Sequence, residues 1–330
     1  MEQLLGLLLD YAFEKKASDI HISHQSHQEE LEILFRTDEG FLALKQDIFD
    51  LRVFEVLKFI SGMDLCAPHK PQSGSFRIHS DKREYTCRFA YLSNHDLQTG
   101  VIRLLNAARD LKIEELSSNS KAIAYLQQMT MQEHGLIISA GPTGSGKTTT
   151  LHAILHDMAL RKDRKIVSLE DPIEIRDSNY IQMEINEAQG FTYEKGIEEL
   201  MRHDPDVIFI GECRSAFSAK MAVRAALTGH LVFTTLHSGT VEEAIRRMLE
   251  FGVDPKDLST ILQAVFAQRL YKSKKGHEKD LGKECVYERW KREDIENYFK
   301  SGDTSQRPDS LFEEIEFASA SGWIEAPKFV

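Results

Sequence analysis

At 330 residues the chain is too long for one average domain and long enough for two, each with its own core. Hydrophobic residues at 42% and charged residues at 28% fit a folded globular protein, and a formal net charge of −11 argues against a surface built for nonspecific nucleic-acid binding. No apolar run approaches the ~20 residues that span a bilayer. Four cysteines without a Cys-x-x-Cys pair argue against a zinc knuckle or a disulfide framework, so reduced and mostly buried thiols are expected.

The chain opens on an apolar run at residues 4–9, but no basic segment leads it and Asp10, Glu14, Lys15 and Lys16 follow closely. This predicts an amphipathic helix over about 2–16 rather than a targeting segment, a cytoplasmic chain, and membrane contact only through a partner. Strand-like stretches follow at 19–23, 31–36, 74–78, 85–91 and 101–105, with a helical segment at 48–60. Strands mixed with helices predict a small α+β, PAS-like domain over 1–107. Residues 108–115 are charged and read as a linker. From residue 123 short apolar strands (136–140, 166–169, 207–210, 231–234) alternate with helices. Nearly continuous apolar strands belong to a sheet covered on both faces, so 116–271 reads as an α/β core. Thr240 and Glu243 have the spacing of a capping box for the helix that follows. Residues 272–330 read as a mostly helical extension, with helices near 287–300 and 311–318 and a turn-rich break at 301–310.

The strongest chemical signal is Gly141-Pro142-Thr143-Gly144-Ser145-Gly146-Lys147-Thr148, which fits G-x-x-x-x-G-K-[ST] at every fixed position between a strand and a helix. The glycines let successive backbone N–H groups face phosphates, and the helix N-terminus adds partial positive charge. Lys147 reaches the β- and γ-phosphates, Thr148 offers a hydroxyl to Mg²⁺, and Thr149 completes the nucleotide-binding set. ATP with Mg²⁺ is the implied ligand.

Hydrolysis also needs acids to help hold Mg²⁺ and to orient water, placed just past the ends of neighbouring strands. Two clusters qualify. Residues 204–212 form an apolar strand ending in Gly211-Glu212; a surface glutamate after a core strand is the plainer alternative. In Glu170-Asp171-Pro172-Ile173-Glu174, three acids in five residues repel one another unless a cation or hydrogen-bond donors compensate; the alternative is a solvated acidic turn. His230 and His237 flank the strand at 231–234 with the wrong spacing for a zinc pair. His237 is suited to sensing the γ-phosphate or to ordering water, and equally to packing.

Taken together, the glycine-rich loop, the acidic box 170–174, Gly211-Glu212-Cys213-Arg214 and the stretch 226–237 resemble the type II secretion and type IV pilus assembly ATPase family, in that family's order. Ala17-Ser18-Asp19-Ile20-His21-Ile22 looks like the opening strand of the family's first domain. The resemblance covers roughly residues 17–271. It implies a RecA-like P-loop core behind a small N-terminal domain, a homo-hexameric ring, and arginines from the N-terminal domain that approach the phosphates, here Arg88 and Arg103. It further implies Glu174 as the group that polarises water, Glu212 on the Mg²⁺ side, and His237 in a network linking nucleotide to domain movement; the reverse assignment of the two glutamates stays open. The tetracysteine insert common in secretion and extension members is lacking, and Arg214-Ser215 stands where the family usually has Arg-Asp. Within the family the chain is most similar to the competence pseudopilus ATPases of Gram-positive bacteria. The resemblance thus implies a motor that acts on a polytopic inner-membrane platform protein, moves pilin-like subunits indirectly, touches no nucleic acid directly, and sits at the cytoplasmic face of the membrane. A retraction motor, a direct DNA translocase and a nucleotide-gated scaffold with little hydrolysis are the alternatives.

Overall fold

Apolar side chains at every second position build the first of two sheets. In the computed structural model, which describes residues 2–26, 30–37, 40–44, 49–67, 69–105, 112–186, 190–274, 282–301 and 310–325, the chain divides into two units, Met1–Ala107 and Ala108–Val330. The first unit runs α1 (Glu2–Glu14), β1 (Asp19–Gln25), β2 (Glu32–Thr37), β3 (Gly40–Ala43), α2 (Arg52–Ile60), β4 (Gln72–His79), β5 (Glu84–Ser93) and β6 (Leu97–Leu105). Its strands pair antiparallel in the order β3-β2-β1-β6-β5-β4. Ile20 and Ile22, Ile33 and Phe35, Cys87 and Phe89, and Ile102 and Leu104 alternate into one core with Leu5 and Leu9 of α1 and Val53 and Leu57 of α2. The intervening positions form the opposite face. There Arg36, Asp19, Arg103, Arg88 and Ser75 stand in cross-strand register, one from each of five successive strands. The helix expected from residue 48 begins at Arg52, where the Asp50 carboxylate accepts from the Arg52 backbone N–H at 3.0 Å; Ile48 itself lies outside the described residues.

In the second unit, residues 108–111 of the expected linker lie outside the described residues, and Ile113–Glu115 forms a 3-10 turn. The unit then runs α3 (Ser120–Met129), β7 (Gly135–Ala140), α4 (Lys147–Leu160), β8 (Ile166–Glu170), β9 (Ile181–Glu184), α5 (Tyr193–Leu200), β10 (Val207–Ile210), α6 (Ala216–Leu227), β11 (Leu231–Leu236), α7 (Val241–Glu250), α8 (Pro255–Ile261), β12 (Leu262–Lys272), β13 (Lys283–Lys291), α9 (Arg292–Ser301) and α10 (Leu311–Ala320). The strand order is β13-β12-β7-β11-β10-β8-β9. Only β13 runs antiparallel to its neighbour; the others are parallel. Successive side chains of the inner strands enter two separate cores, as a doubly covered sheet requires: Leu136, Ile138, Ile208 and Ile210 on one face, Ile137, Val207 and Phe209 on the other. This is a RecA-like P-loop core. The crossover through α4 leaves β7 and returns as β8 beyond β11 and β10, so the loop after β7 opens beside the C-terminal ends of its neighbours.

Two expectations need correction. Residues 283–291, read as part of a mostly helical extension, form strand β13 of the core sheet. Its charged residues hid it, because Glu284 and Glu288 are buried rather than solvated. Glu284 accepts from the Ser117 and Ser118 hydroxyls at 2.9 Å each, and Glu288 accepts from the Val241 N–H at 3.3 Å. The break read at 301–310 lies mostly outside the described residues. The capping box at Thr240 is half formed. Its hydroxyl accepts from the Glu243 N–H at 3.2 Å, but the Glu243 carboxylate accepts from the Gly239 N–H.

Candidate nucleotide site

The loop at 141–146 is pinned from below and from the side. The Gly141 N–H donates to the Leu236 carbonyl at 3.2 Å, tying the loop's entry to the end of β11, and the Ser145 N–H donates back to the Pro142 carbonyl at 3.2 Å. A Cβ on Gly141 would lie 2.4 Å from Ser145 Oγ and 2.9 Å from the Gln268 carbonyl, so only glycine fits there. Gly146 caps α4 at φ +88°, a left-handed conformation that other residues resist. Beneath the loop, the fully buried Gln268 of β12 accepts from Ser139 Oγ at 3.2 Å and donates Nε2 to the Ser145 carbonyl at 2.7 Å. Tyr287 of β13 meets the Thr150 hydroxyl of α4 at 2.9 Å.

Lys147 Nζ donates to the Gly141 carbonyl at 2.8 Å and the Pro142 carbonyl at 3.0 Å. Burial pushes its ammonium below the usual lysine range, Glu212 and Glu174 pull it back, and Arg269 adds to the depression. These influences place the loop lysine, both predicted glutamates and Arg269 within one electrostatic neighbourhood. Among the described residues Ser145 Oγ and Ser238 Oγ are buried without a hydrogen-bond partner, one in the loop and one just after β11. Free peptide N–H groups at the start of α4, a lysine and an orphaned hydroxyl make a cradle for phosphate oxygens.

The ends of the parallel strands are stitched together. The Gly211 N–H donates to the Leu169 carbonyl at 2.8 Å, the Cys213 N–H to the Thr235 carbonyl at 3.0 Å, and the Thr235 hydroxyl to the Gly211 carbonyl at 2.7 Å. Glu212 therefore emerges at a fixed height at the C-terminal end of β10. Arg214 Nε donates to Glu212 at 2.9 Å and its Nη1 to Asp171 at 3.4 Å, bridging the two acidic clusters. The expected repulsion within 170–174 is resolved three ways. Glu170 is buried and accepts from the Ser168 hydroxyl at 2.7 Å and the Gln182 amide at 3.1 Å. Asp171 takes Arg214, and Glu174 stays exposed. Ser215 caps α6 through its hydroxyl, which accepts from the Ser218 N–H at 3.2 Å.

His237 is exposed directly after β11, next to the Leu236 carbonyl that holds Gly141. His230 instead turns back to α6, where its Nδ1 donates to the Ala225 carbonyl at 3.0 Å. Arg88 and Arg103 belong to the first unit and face each other across β5 and β6. Arg103 also donates to Asp19 at 2.8 Å. Thr148 is half-buried in the first turn of α4. Among the described residues no group of three or more His, Cys, Asp or Glu is arranged to hold a metal; a hydroxyl plus one or two carboxylates and substrate phosphates is the donor set that suits Mg²⁺. Sequence reasoning missed Arg214 as a bridge, Gln268 as a support, and Arg269, whose Nη2 donates to the Gly239 carbonyl at 2.9 Å. The signal for Gln268 was there: an amide directly after the apolar run Ala264–Ala267.

Residues 1–306 match the family described as Type II/IV secretion system protein. The chain is 39% identical over 273 residues to competence protein ComGA of Bacillus subtilis (strain 168), a match that takes in 82% of this chain and 76% of that protein. It is 36% identical over 276 residues to type II secretion system protein E of Aeromonas hydrophila, covering 82% of this chain and 54%, about half, of that longer relative. Among solved structures, the pilus retraction motor PilT with bound ADP superposes with a TM-score of 0.78 at 24% identity, covering 98% of this chain and 97% of that one. The DotB ATPase of Legionella pneumophila superposes with a TM-score of 0.74 at 20% identity, covering 98% and 93%. These two structures share the fold. Among the described residues no helix is long and apolar enough to cross a membrane.

Proposed function

The chain belongs to the Type II/IV secretion system protein family, and on that premise we propose that it is the motor of a competence pseudopilus, driving fibre assembly for DNA uptake. It is an ATPase of that family, and its relatives mark it as a secretion or pilus assembly motor. The observation that carries the finer reading is the 39% identity to a competence protein along 82% of the chain. The motor works as a homo-hexamer at the cytoplasmic face of the membrane. It pushes or turns a polytopic platform protein, moves pilin-like subunits through that platform, and has no direct contact with nucleic acid.

In the proposed chemistry, the 141–149 segment holds the triphosphate with backbone N–H groups and Lys147. Thr148 and Glu212 would hold Mg²⁺, which would supply positive charge to the phosphate oxygens. Glu174, exposed beside the loop, takes the proton of a water as its oxygen attacks the γ-phosphorus. The bond from that phosphorus to the bridging oxygen breaks, leaving ADP and inorganic phosphate. Arg88 and Arg103 neutralise the charge on the transferred group, and His237 passes the change in phosphate contacts to domain movement. The clustering of Lys147 with Glu174 and Glu212 supports these roles.

Two measurements test the proposal. Phosphate release is expected to fall at least ~100-fold in Lys147→Ala, and equal rates in both proteins would leave only a scaffold. In pull-downs the platform protein is expected to be retained by wild type with ATP and lost with Lys147→Ala; nucleotide-independent capture, or none, overturns the motor reading.

A further inference from the structure

Two histidines one turn apart on α4, His152 and His156, both reach into the segment that carries Glu174. His152 is 4% exposed and Glu170 is 2% exposed, and His152 Nε2 lies 3.1 Å from Glu170 Oε2. On the other side of the ring, His152 Nδ1 meets the hydroxyl of the buried Tyr180. The Phe209 ring packs edge-on against the imidazole at 5.6 Å. Glu170 Oε1 accepts from Ser168 and from Gln182 Nε2. Gln182 Nε2 also donates to the Ile175 carbonyl at 2.8 Å, and its Oε1 accepts from the Asp177 N–H at 2.8 Å. Asp177 in turn meets His156 Nδ1 at 2.6 Å.

One proton assignment satisfies every group in these contacts. The phenol of Tyr180, held protonated by burial and by the charges of Glu170 and Asp177, donates to Nδ1. The imidazole then donates Nε2–H to Glu170, whose carboxyl oxygens meet three donors in all. Three links, His152–Glu170, His152–Tyr180 and His156–Asp177, cross from the helix that begins at Lys147 to the stretch 168–182; the bonds of Ser168 and Gln182 tie that stretch to itself, and residue 174 lies inside it. The helix is stiff over the turn and a half from Lys147 to His152, so the loop lysine and the histidine move as one body.

We propose that His152 is a positioning residue: through Glu170 and Tyr180 it fixes the 170–180 segment against α4 and so sets where Glu174 stands relative to the γ-phosphate, with His156–Asp177 as the second clamp. The inference rests on the reading of Glu174 as the group that activates water. Misplacing such a group by about 1 Å costs up to about 100-fold in rate while binding is kept, and this separates positioning from a structural role.

The test uses the full chain, with phosphate release for kcat and KM. In His152→Phe, kcat is expected to fall about ten-fold or more while KM for ATP moves less than about three-fold. His152→Gln, whose amide reaches the Nε2 position, is expected to recover most of that loss. In a Glu174→Gln background, His152→Phe is expected to cost nothing further. Turnover of His152→Phe within about two-fold of wild type, a KM change that matches the kcat loss, or full additivity with Glu174→Gln overturns the inference and leaves the role of Glu174 intact. Wild-type turnover in Glu174→Gln alone removes that role, and the inference with it. Should His152→Phe fail to fold, Tyr180→Phe, which keeps the ring and removes one hydroxyl, decides: unchanged kcat overturns the inference, and reduced kcat at unchanged KM supports it.

Discussion

Asp19 sits in the middle of the arginine row, between Arg36 on β2 and Arg103 on β6. Burial alone would raise its carboxyl, but hydrogen bonds from Ser18 at 2.7 Å and Arg103 at 2.8 Å, with the Arg103 charge, outweigh it and hold the group below the ordinary carboxylate value. A depressed carboxyl contributes stability above its unfolded value, near pH 4, and loses it as pH falls through the folded one. Asp19→Asn is therefore expected to have a lower urea midpoint than wild type at pH 7, with the gap closing below about pH 4; a gap that widens in acid refutes this. At this scale the phosphate loop, Glu174 and Glu212 could be singled out as candidates, because phosphate and Mg²⁺ chemistry favours such residue types at short spacing. Gln268, Arg214 and His152 were not, because their partners are set by folding: Gln268 supports Ser145 from 123 residues away, and Arg214 meets Asp171 across 43.

The hairpin of β12 and β13 is where the sheet and the loop meet. Truncating Gln268 to alanine strips partners from the Ser139 hydroxyl and the Ser145 carbonyl in a fully buried place. A buried group left unpaired costs about 1–3 kcal/mol, so Gln268→Ala is expected to lose about 2–4 kcal/mol of stability. The loosened loop should also raise KM for ATP. Denaturant unfolding and steady-state kinetics check both, and a loss below about 0.5 kcal/mol sinks the account. Parallel strands β7, β8, β10 and β11 could be read from their nearly continuous apolar runs, whereas the parallel strand β12 was not predicted. β3 and β9 could not be read, since β3 is exposed throughout and β9 is exposed at alternate positions and only half-buried between them. β13 was hidden by Glu284 and Glu288, whose partners at Ser117, Ser118 and Val241 lie in other elements.

Across the whole molecule the two-sheet α/β class was visible in the change of strand character along the chain. The small antiparallel sheet alternates because one face is open, whereas the larger sheet is apolar on both. Its cysteines divide along the same line. Cys66 is exposed; Cys87 is buried in the first unit, and Cys213 and Cys285 are buried in the second. Burial pushes the Cys87 thiol up to about 12, Cys213 to about 11 and Cys285 to about 12. Alkylation needs the thiolate and an open path to it, so each unit carries its own clock for transient opening. With iodoacetamide at neutral pH, mass spectrometry is expected to find Cys66 modified promptly and the other three only as fast as their surroundings breathe. Cys285, whose Sγ lies 3.9 Å from the Ser145 carbonyl, is expected to slow further when ATP is added, while Cys66 keeps its pace. A Cys285 that reacts as fast as Cys66 would contradict the buried hairpin.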